Sequence, residues 1–343
     1  MDSRSLRDEL LEQARAAGFV TAGIASVEPF RGARRRGLEA IAAGRMEGMP
    51  WFSPARVEAA ADLARRHPWG RSLLALAWPY RPAGLGDAPP PPPAQSGRPR
   101  GRMAAYACLT EGGDGVVDYH DELARACDAL TGWLGARVPD LRAKRFIDHG
   151  WAADRAVAER AGVGFCGKNT CLITPAAGSY VLLAELLLSV AMPPTPPSRR
   201  SCGRCHTCVD ACPTGAIVAP GVLDARRCIA YLTIEHRGAI PVELRALVGT
   251  WAFGCDICQE VCPINERLAP RPLAAGAAST RRGPVPWPDL VECLGLDDDE
   301  FRRRFRTTAV WRAGRAGLAR NAAIALGNAG DAAAAPALER ARA

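Results

Sequence analysis

Cys202-Gly-Arg-Cys205-His-Thr-Cys208-Val-Asp-Ala-Cys212-Pro213 is the stretch on which the reading of this chain turns. Cys-x2-Cys-x2-Cys-x3-Cys-Pro is the spacing with which bacterial proteins hold 4Fe–4S clusters. Three thiolates two residues apart can wrap one face of a cubane, because the intervening backbone turns tightly. The fourth, before proline, points away toward a second cluster. A shorter copy follows as Cys255-x2-Cys258-x3-Cys262-Pro263, without its first member, and Cys228 upstream can supply that ligand. Crossed ligation then assigns Cys202, Cys205, Cys208 and Cys262 to one cluster, and Cys212, Cys228, Cys255 and Cys258 to the other. Structural zinc also favours paired cysteines, but it needs neither the triple run nor two Cys-Pro endings. The remaining five thiols, Cys108, Cys127, Cys166, Cys171 and Cys293, read as ordinary buried cysteines.

Two neighbouring clusters form an electron wire, and a wire alone needs far fewer than 343 residues. The electrons therefore feed a reaction in the part of the chain before the wire. Pro193-Pro-Thr-Pro-Pro197 marks the boundary between the two. Ahead of it, helical patterns alternate with short apolar runs such as Ser72–Trp78, which predicts an α/β or α+β domain. Ala88–Arg100, rich in proline, reads as a solvated polyproline loop within that domain. Past about Leu268 the chain turns rich in Ala and Arg. Ala316–Asn328 places Leu318, Ala322, Ala323 and Leu326 on one helical face, as one unit of a helical array would.

Met1–Val20 carries charges throughout, with Leu6, Leu10, Leu11, Ala14 and Ala17 at helical spacing. That pattern is an amphipathic helix rather than a secretory signal. The longest apolar run, Tyr180–Met192, is too short to cross a bilayer and contains Glu185. These features predict a cytoplasmic protein without a membrane partner, where clustered cysteines serve as metal ligands rather than disulfides. Hydrophobic residues at 48% and charged ones at 23% exclude a disordered chain. A net charge of +8 invites a polyanionic partner without requiring one.

Several segments, in order, resemble the epoxyqueuosine reductase family. They are Phe146-Ile-Asp148, Glu159–Asn169 (ERAGVGFCGKN), Gly178-Ser179, Cys212–Ile217 (CPTGAI), Asp224–Cys228 (DARRC), Tyr231–Gly238 (YLTIEHRG), Gly254–Cys258 (GCDIC) and Arg320–Asn328 (RNAAIALGN). The likeness runs from about Leu6 to the C-terminus and is weakest around the proline loop. It implies an α+β protein: residues 1–195 a cobalamin-binding catalytic α/β domain of nitroreductase and reductive-dehalogenase type, 196–268 a bacterial ferredoxin-like domain with two 4Fe–4S clusters, and 269–343 a HEAT-like helical tail contacting tRNA. It also implies reduction of epoxyqueuosine to queuosine in a tRNA anticodon loop, with electrons passing through the clusters to cobalamin. An external donor such as a flavodoxin or ferredoxin system, and a monomeric enzyme, belong to the same expectation.

Carbon–oxygen cleavage needs a proton for the departing oxygen, and the resemblance makes Asp148 the donor. Such a role calls for a carboxyl raised in pKa by burial, which the apolar flank of Phe146 and Ile147 suggests. The same resemblance brings Tyr119, in the Asp118-Tyr119-His120 segment, near the substrate or under the corrin. Arg155, seven residues past Asp148, reaches the same pocket if both lie on one helix, or else forms a surface ion pair. Lys168 and Asn169 stand in a glycine-containing loop beside the cofactor, and Arg56 is a further cobalamin contact. Asn169 replaces a histidine common in the family, Ala104–Gly115 is longer than usual, and an arginine expected beside Tyr106 is missing. The tail is shorter than in many relatives.

A tRNA substrate predicts basic surface. Candidates are Arg34–Arg36, Arg226-Arg227, Arg281-Arg282, Arg302–Arg306 and Arg312–Arg320, and from Arg281 onward eleven arginines face eight acids. The anticodon loop adds stacking and edge contacts to single-stranded bases. Two rivals stand beside this reading. A reductive dehalogenase-like small-molecule reductase would carry a twin-arginine export signal, which Met1–Val20 lacks. A non-catalytic two-cluster electron-transfer protein would bind no cobalamin.

Overall fold

The computed structural model describes residues 2–80, 97–108, 118–148, 151–268 and 287–341. The long apolar run becomes the Val181–Leu188 strand. It lies inside a four-stranded antiparallel sheet ordered Thr21–Ala25, Ser72–Pro79, Val181–Leu188, Ala143–Ile147. The antiparallel pairing makes this part of the chain α+β. One sheet face, with Leu74, Leu76, Leu186 and Leu188, is covered by the Ser3–Ala16 and Tyr119–Gly135 helices. The other, with Leu73, Ala75, Phe146 and Leu187, packs on Val157 and Ala158 of the Asp154–Arg160 helix and on Leu63. Two covered faces explain why the strands read as continuous apolar runs rather than alternation.

The N-terminal helix forms as its pattern predicts, with Leu6, Leu10, Leu11 and Ala14 buried and Asp2 capping its first turn. The Pro193–Pro197 boundary is not a loose linker. Thr195 donates its N–H to Ile24 O at 2.9 Å and accepts the Ile24 N–H on Oγ1 at 3.0 Å, so the crossing strap runs along the sheet edge. Of the proline-rich stretch, 88–96 lies outside the described residues. Its end is tied down: Gly97 N–H donates to Asp331 Oδ2 at 2.7 Å and Arg98 pairs with Asp289 at 2.6 Å.

The cysteine-rich part is built from short pieces, with one-turn helices Thr207–Asp210 and Ile257–Glu260 in the two cysteine motifs. Trp251–Phe253 pairs in parallel with Arg102–Met103, so the chain segment after the proline stretch packs on this part and on the tail. The Gly314–Ala329 helix buries Leu318, Asn321, Ala322, Ala325 and Leu326, while Ala323, expected on the packed face, is only half-buried. The difference comes from Asn321. Its Nδ2 donates to Thr233 O at 2.7 Å and Ala252 O at 2.9 Å, and that rotates the buried face toward it. Beside it, Arg320 bonds the Leu232, His236 and Gly238 carbonyls at 2.7–2.9 Å. Among the described residues no helix is long and apolar enough to cross a membrane.

Replacing Asn321 with Leu strands two buried carbonyls, each costing about 1–3 kcal/mol. Thermal unfolding should shift down by several degrees, and an unchanged midpoint would remove Asn321 from this bridging role.

Candidate active site and metal centre

The site begins where the sheet meets the cysteine-rich part. Gly178 adopts φ +60°, and a Cβ there would lie 1.9 Å from Asn265 Oδ1. That close approach lets Ser179 N–H donate to Asn265 Oδ1 at 2.9 Å, while Ser179 Oγ donates to Gln259 Oε1 at 2.9 Å. Gln259 Nε2 continues to Tyr80 Oη at 3.1 Å and Asp256 Oδ1 at 2.8 Å, and Ala105 N–H donates to Asp256 Oδ2 at 2.6 Å. All these side chains are buried.

The seam holds two groups of thiols. Cys202, Cys205, Cys208 and Cys262, more than fifty residues apart in sequence, line one cavity of about 250 Å³ together with Asn169 and Ile173. Cys212, Cys228, Cys255 and Cys258 form the second group, in which Cys228 feels the charge of Cys212, and Cys258 that of Cys255 and Cys228. No three His, Cys, Asp or Glu among the described residues close on a single metal ion. A cubane, which is wider, does not require that. Cys171 lies against the second group, its thiol lowered in pKa by the neighbouring Cys258 thiol. Of the five thiols expected to be buried, Cys127 and Cys293 are, whereas Cys108, Cys166 and Cys171 are half-buried.

Lys168 and Asn169 face these thiols. Lys168 Nζ donates to Gly203 O at 2.9 Å and Cys205 O at 2.8 Å, and Asn169 Nδ2 to Cys258 O at 3.3 Å. Arg155 donates to Thr170 O at 2.6 Å in the same loop. The one-helix route from Asp148 to Arg155 is wrong. Asp148 ends a strand, whereas the helix holding Arg155 starts at Asp154.

Asp148 follows the Ala143–Ile147 strand with φ +50°, a left-handed conformation that Asp tolerates better than most residues. Phe146 and Ile147 are buried, but the Asp148 side chain keeps 55% of its surface open. Tyr119 Oη donates to its Oδ2 at 2.8 Å, and His120 Nε2 lies 3.7 Å from the same oxygen. Crowding by protein raises its pKa, but the His120 and Tyr119 contacts and the His120 and Arg312 charges outweigh that and leave it below the ordinary value. The expected raised pKa is thus overturned: Asp148 rests as a carboxylate. Tyr119, at the start of its helix, lies 6.0 Å ring to ring from Tyr106, which is 6.4 Å from Tyr80 of the seam.

Arg56 lies 5.3 Å from the Trp51 ring and 5.5 Å from that of Trp151, three residues beyond Asp148, while Arg66 lies 4.7 Å over Trp151. Both tryptophans are about 40% exposed. The arginine runs are largely neutralised. Arg34 pairs with Glu58, Arg226 with Asp224, Arg302 with Asp299, Arg303 with Glu300, Arg304 with Glu292, Arg312 with Glu235 and Arg315 with Asp298. Arg281-Arg282 and 109–115 of the glycine-rich stretch lie outside the described residues.

Sequence reasoning missed the groups behind Asp148. Glu185, opposite Phe146 in the sheet, is fully buried and faces Asp154. Neither Glu185 oxygen nor Asp154 Oδ1 has a donor among the described residues. Two carboxylates face to face bond only when one carries a proton. Burial, then the Asp154 and Asp148 charges, raise Glu185 well above the carboxylate range, and burial with the Asp148 charge lifts Asp154 to about 7. The acid inside an otherwise apolar strand was the available signal.

A family model described as a 4Fe-4S double cluster binding domain matches residues 201–265. The chain is 35% identical to the epoxyqueuosine reductase of Bacillus subtilis over 98% of its own length and 83% of that protein. It is 36% identical to that of Gloeobacter violaceus, covering 94% and 96%. Among solved structures, an epoxyqueuosine reductase with a tRNA-Tyr epoxyqueuosine-modified stem loop superposes at a TM-score of 0.86 and 34% identity, over 98% of this chain and 84% of that one. The Streptococcus thermophilus epoxyqueuosine reductase gives 0.83 at 28% identity, over 97% and 84%.

Because both buried acids have folded pKa values above their unfolded ones, their stabilisation is complete below the free carboxylate range; that of Asp154 is lost as pH rises through about 7, that of Glu185 as pH rises through its own raised value. Glu185→Gln removes one titrating partner. Its melting temperature should fall less than that of the wild type between about pH 5 and about pH 8. Equal or steeper loss would contradict the shared proton.

Proposed function

The chain belongs to the epoxyqueuosine reductase family, and on that premise we propose how its own residues reduce epoxyqueuosine to queuosine in the anticodon loop of tRNA. The reaction takes two electrons and two protons, removes one oxygen as water and leaves a carbon–carbon double bond. The observation that supports this reading is the buried seam, which ties the Cys255–Cys262 motif through Gln259 to Ser179 and Tyr80 of the part that carries Asp148.

In this reading Cys202, Cys205, Cys208 and Cys262 hold one 4Fe–4S cluster, and Cys212, Cys228, Cys255 and Cys258 the other. The first group lies nearer solvent, with Cys205 flanked by exposed Gly203, Arg204 and His206. An external donor of flavodoxin or ferredoxin type would load that end. The second group, with Cys171 against it, lies on the path inward. Lys168 and Asn169 fasten the cluster loops to the catalytic part through their carbonyls.

The flat faces of Trp51 and Trp151 with the Arg56 and Arg66 cations fit a corrinoid, an apolar macrocycle edged by amides and a phosphate. Cobalamin, when bound there, would supply a low-valent metal as the reductant for the epoxide. Arg56 and Tyr119 would border it. Arg155, through Thr170, positions the Lys168–Asn169 loop. Tyr119 holds Asp148 by its phenol, and Asp148 delivers the proton to the departing oxygen, without which a strongly basic alkoxide would have to leave.

For tRNA, the ion-paired arginine runs shift the weight of binding to the rim of the cleft. The helical tail supports that rim: Arg312, paired with Glu235, lies close enough for its charge to act on Asp148.

Protein reconstituted anaerobically with iron, sulfide and cobalamin should convert the epoxyqueuosine of a tRNA stem loop to queuosine, seen by nucleoside mass spectrometry as loss of one oxygen. No queuosine from fully loaded protein would overturn the reading. Asp148→Asn should keep both cofactors and lose about 100-fold or more in turnover. Undiminished turnover would remove Asp148 as the donor.

A further inference from the structure

Asp148 as it stands has no proton to give, and beside it lies an imidazole able to carry one. Asp118 caps the Tyr119–Gly135 helix, and its Oδ1 accepts both the backbone N–H of His120 at 2.9 Å and ring Nδ1 at 2.6 Å. The double contact fixes the imidazole: Nδ1–H points to Asp118, and Nε2 turns to Asp148 Oδ2, 3.7 Å away. Tyr119 stacks on the ring at 4.1 Å while donating to that same oxygen. We propose that His120, clamped by Asp118, is the positioning residue that stores the proton Asp148 delivers, so that Asp118, His120 and Asp148 act as one relay. The inference rests on the role given to Asp148 above.

The charged neighbourhood supports the relay from every side. The helix contributes Asp118, Tyr119 and His120, and the strand end Asp148. The Ala105–Cys108 turn presents the Tyr106 phenol, whose ionisation burial and the Asp148 charge oppose. From the tail comes Arg312, already paired with Glu235. Behind stand Asp154 and Glu185, which keep a proton between them and so add less than two negative charges. Burial works against the imidazolium, but the two flanking carboxylates prevail and lift His120 to about 9. The resting imidazolium therefore keeps Nδ1–H on Asp118 and holds its second proton on Nε2 toward Asp148, while Asp118 and Asp148 are both ionised.

The transfer balances in charge and protons. As the carbon–oxygen bond breaks, Nε2–H passes its proton to Asp148 Oδ2, and the carboxyl so formed gives that same proton to the leaving oxygen. His120 is left neutral with Nδ1–H still on Asp118, and Asp148 returns to carboxylate. Neutral Asp148 does not accumulate, because the alkoxide is far more basic than imidazole and takes the proton as soon as the carboxyl forms. His120 is refilled from solvent, ready for the second proton of the reaction. The 3.7 Å separation closes by rotation of the Asp148 side chain, which is open on its cleft side.

The test uses the cluster-loaded full chain. In the wild type the imidazole resonance missing from His120→Gln should titrate near 9, and in Asp148→Asn it should drop by a unit or more toward ordinary histidine. With cobalamin and the tRNA stem loop, wild-type turnover should hold through neutral pH and fall above about 9, where His120 loses its proton. His120→Gln, with its cluster absorbance retained, should lose about 100-fold and lack that alkaline limb. Added imidazole should restore part of the turnover of His120→Ala. An ordinary titration of His120, or a glutamine variant with wild-type rate and alkaline limb, would overturn the relay. If Asp148→Asn is inactive in that same case, only the His120 inference fails. If Asp148→Asn turns over normally, the Asp148 reading itself fails.

Discussion

The buried polar seam between sheet and cysteine motifs is the constraint on which the rest depends. Ser179, Gln259, Asn265, Tyr80 and Asp256 have left water, and each satisfies another across the boundary. A buried polar group without its partner costs about 1–3 kcal/mol, so the seam tolerates only one registry. That registry ties the backbone around Cys258 to the Tyr80–Tyr106–Tyr119 row of rings that leads to Asp148. Electron transfer falls off steeply with distance, and a fixed docking is what a two-cluster wire requires. Asn321 and Arg320 serve the same purpose from the tail, bonding the backbone that carries Cys228 onward to Phe253.

Charge in the cleft is organised around protons rather than around net sign. Asp148 is held ionised by an imidazolium and a phenol, whereas the Asp154–Glu185 pair, without a donor to either Glu185 oxygen among the described residues, holds a proton. Acids of the same type thus reach opposite states because one has partners and the other has only burial. Outside the cleft, most described arginines of the basic runs meet carboxylates, so the +8 net charge is not a continuous basic face.

What was legible in the sequence was local. Cysteine spacing marked both thiol groups, since a Cys-x2-Cys turn is dictated by adjacent residues. The apolar run Tyr180–Met192 marked a buried strand, and helical spacing marked Ser3–Ala16. What was hidden needed partners far along the chain. The ionisation of Asp148 depends on Tyr119, 29 positions away, and on Arg312 from the tail. Lys168 reads as a cofactor-facing cation until folding puts Gly203 and Cys205 carbonyls around it. Cys171 fits no cysteine motif and yet touches Cys258, because the sheet-side loop folds over the second group. The packed face of the tail helix was misplaced by Asn321, a polar residue that an apolar pattern passes over.

The central claim is that the thiol groups and the Asp148 cleft form one electron path to the tRNA base. A single-turnover experiment tests it most directly: clusters are reduced chemically, excess reductant is removed, and the absorbance of the clusters is followed on adding the epoxyqueuosine stem loop. The account predicts reoxidation in proportion to queuosine formed, and only when cobalamin and the modified base are both present. Clusters that stay reduced while queuosine forms, or that reoxidise equally with unmodified RNA, would contradict it.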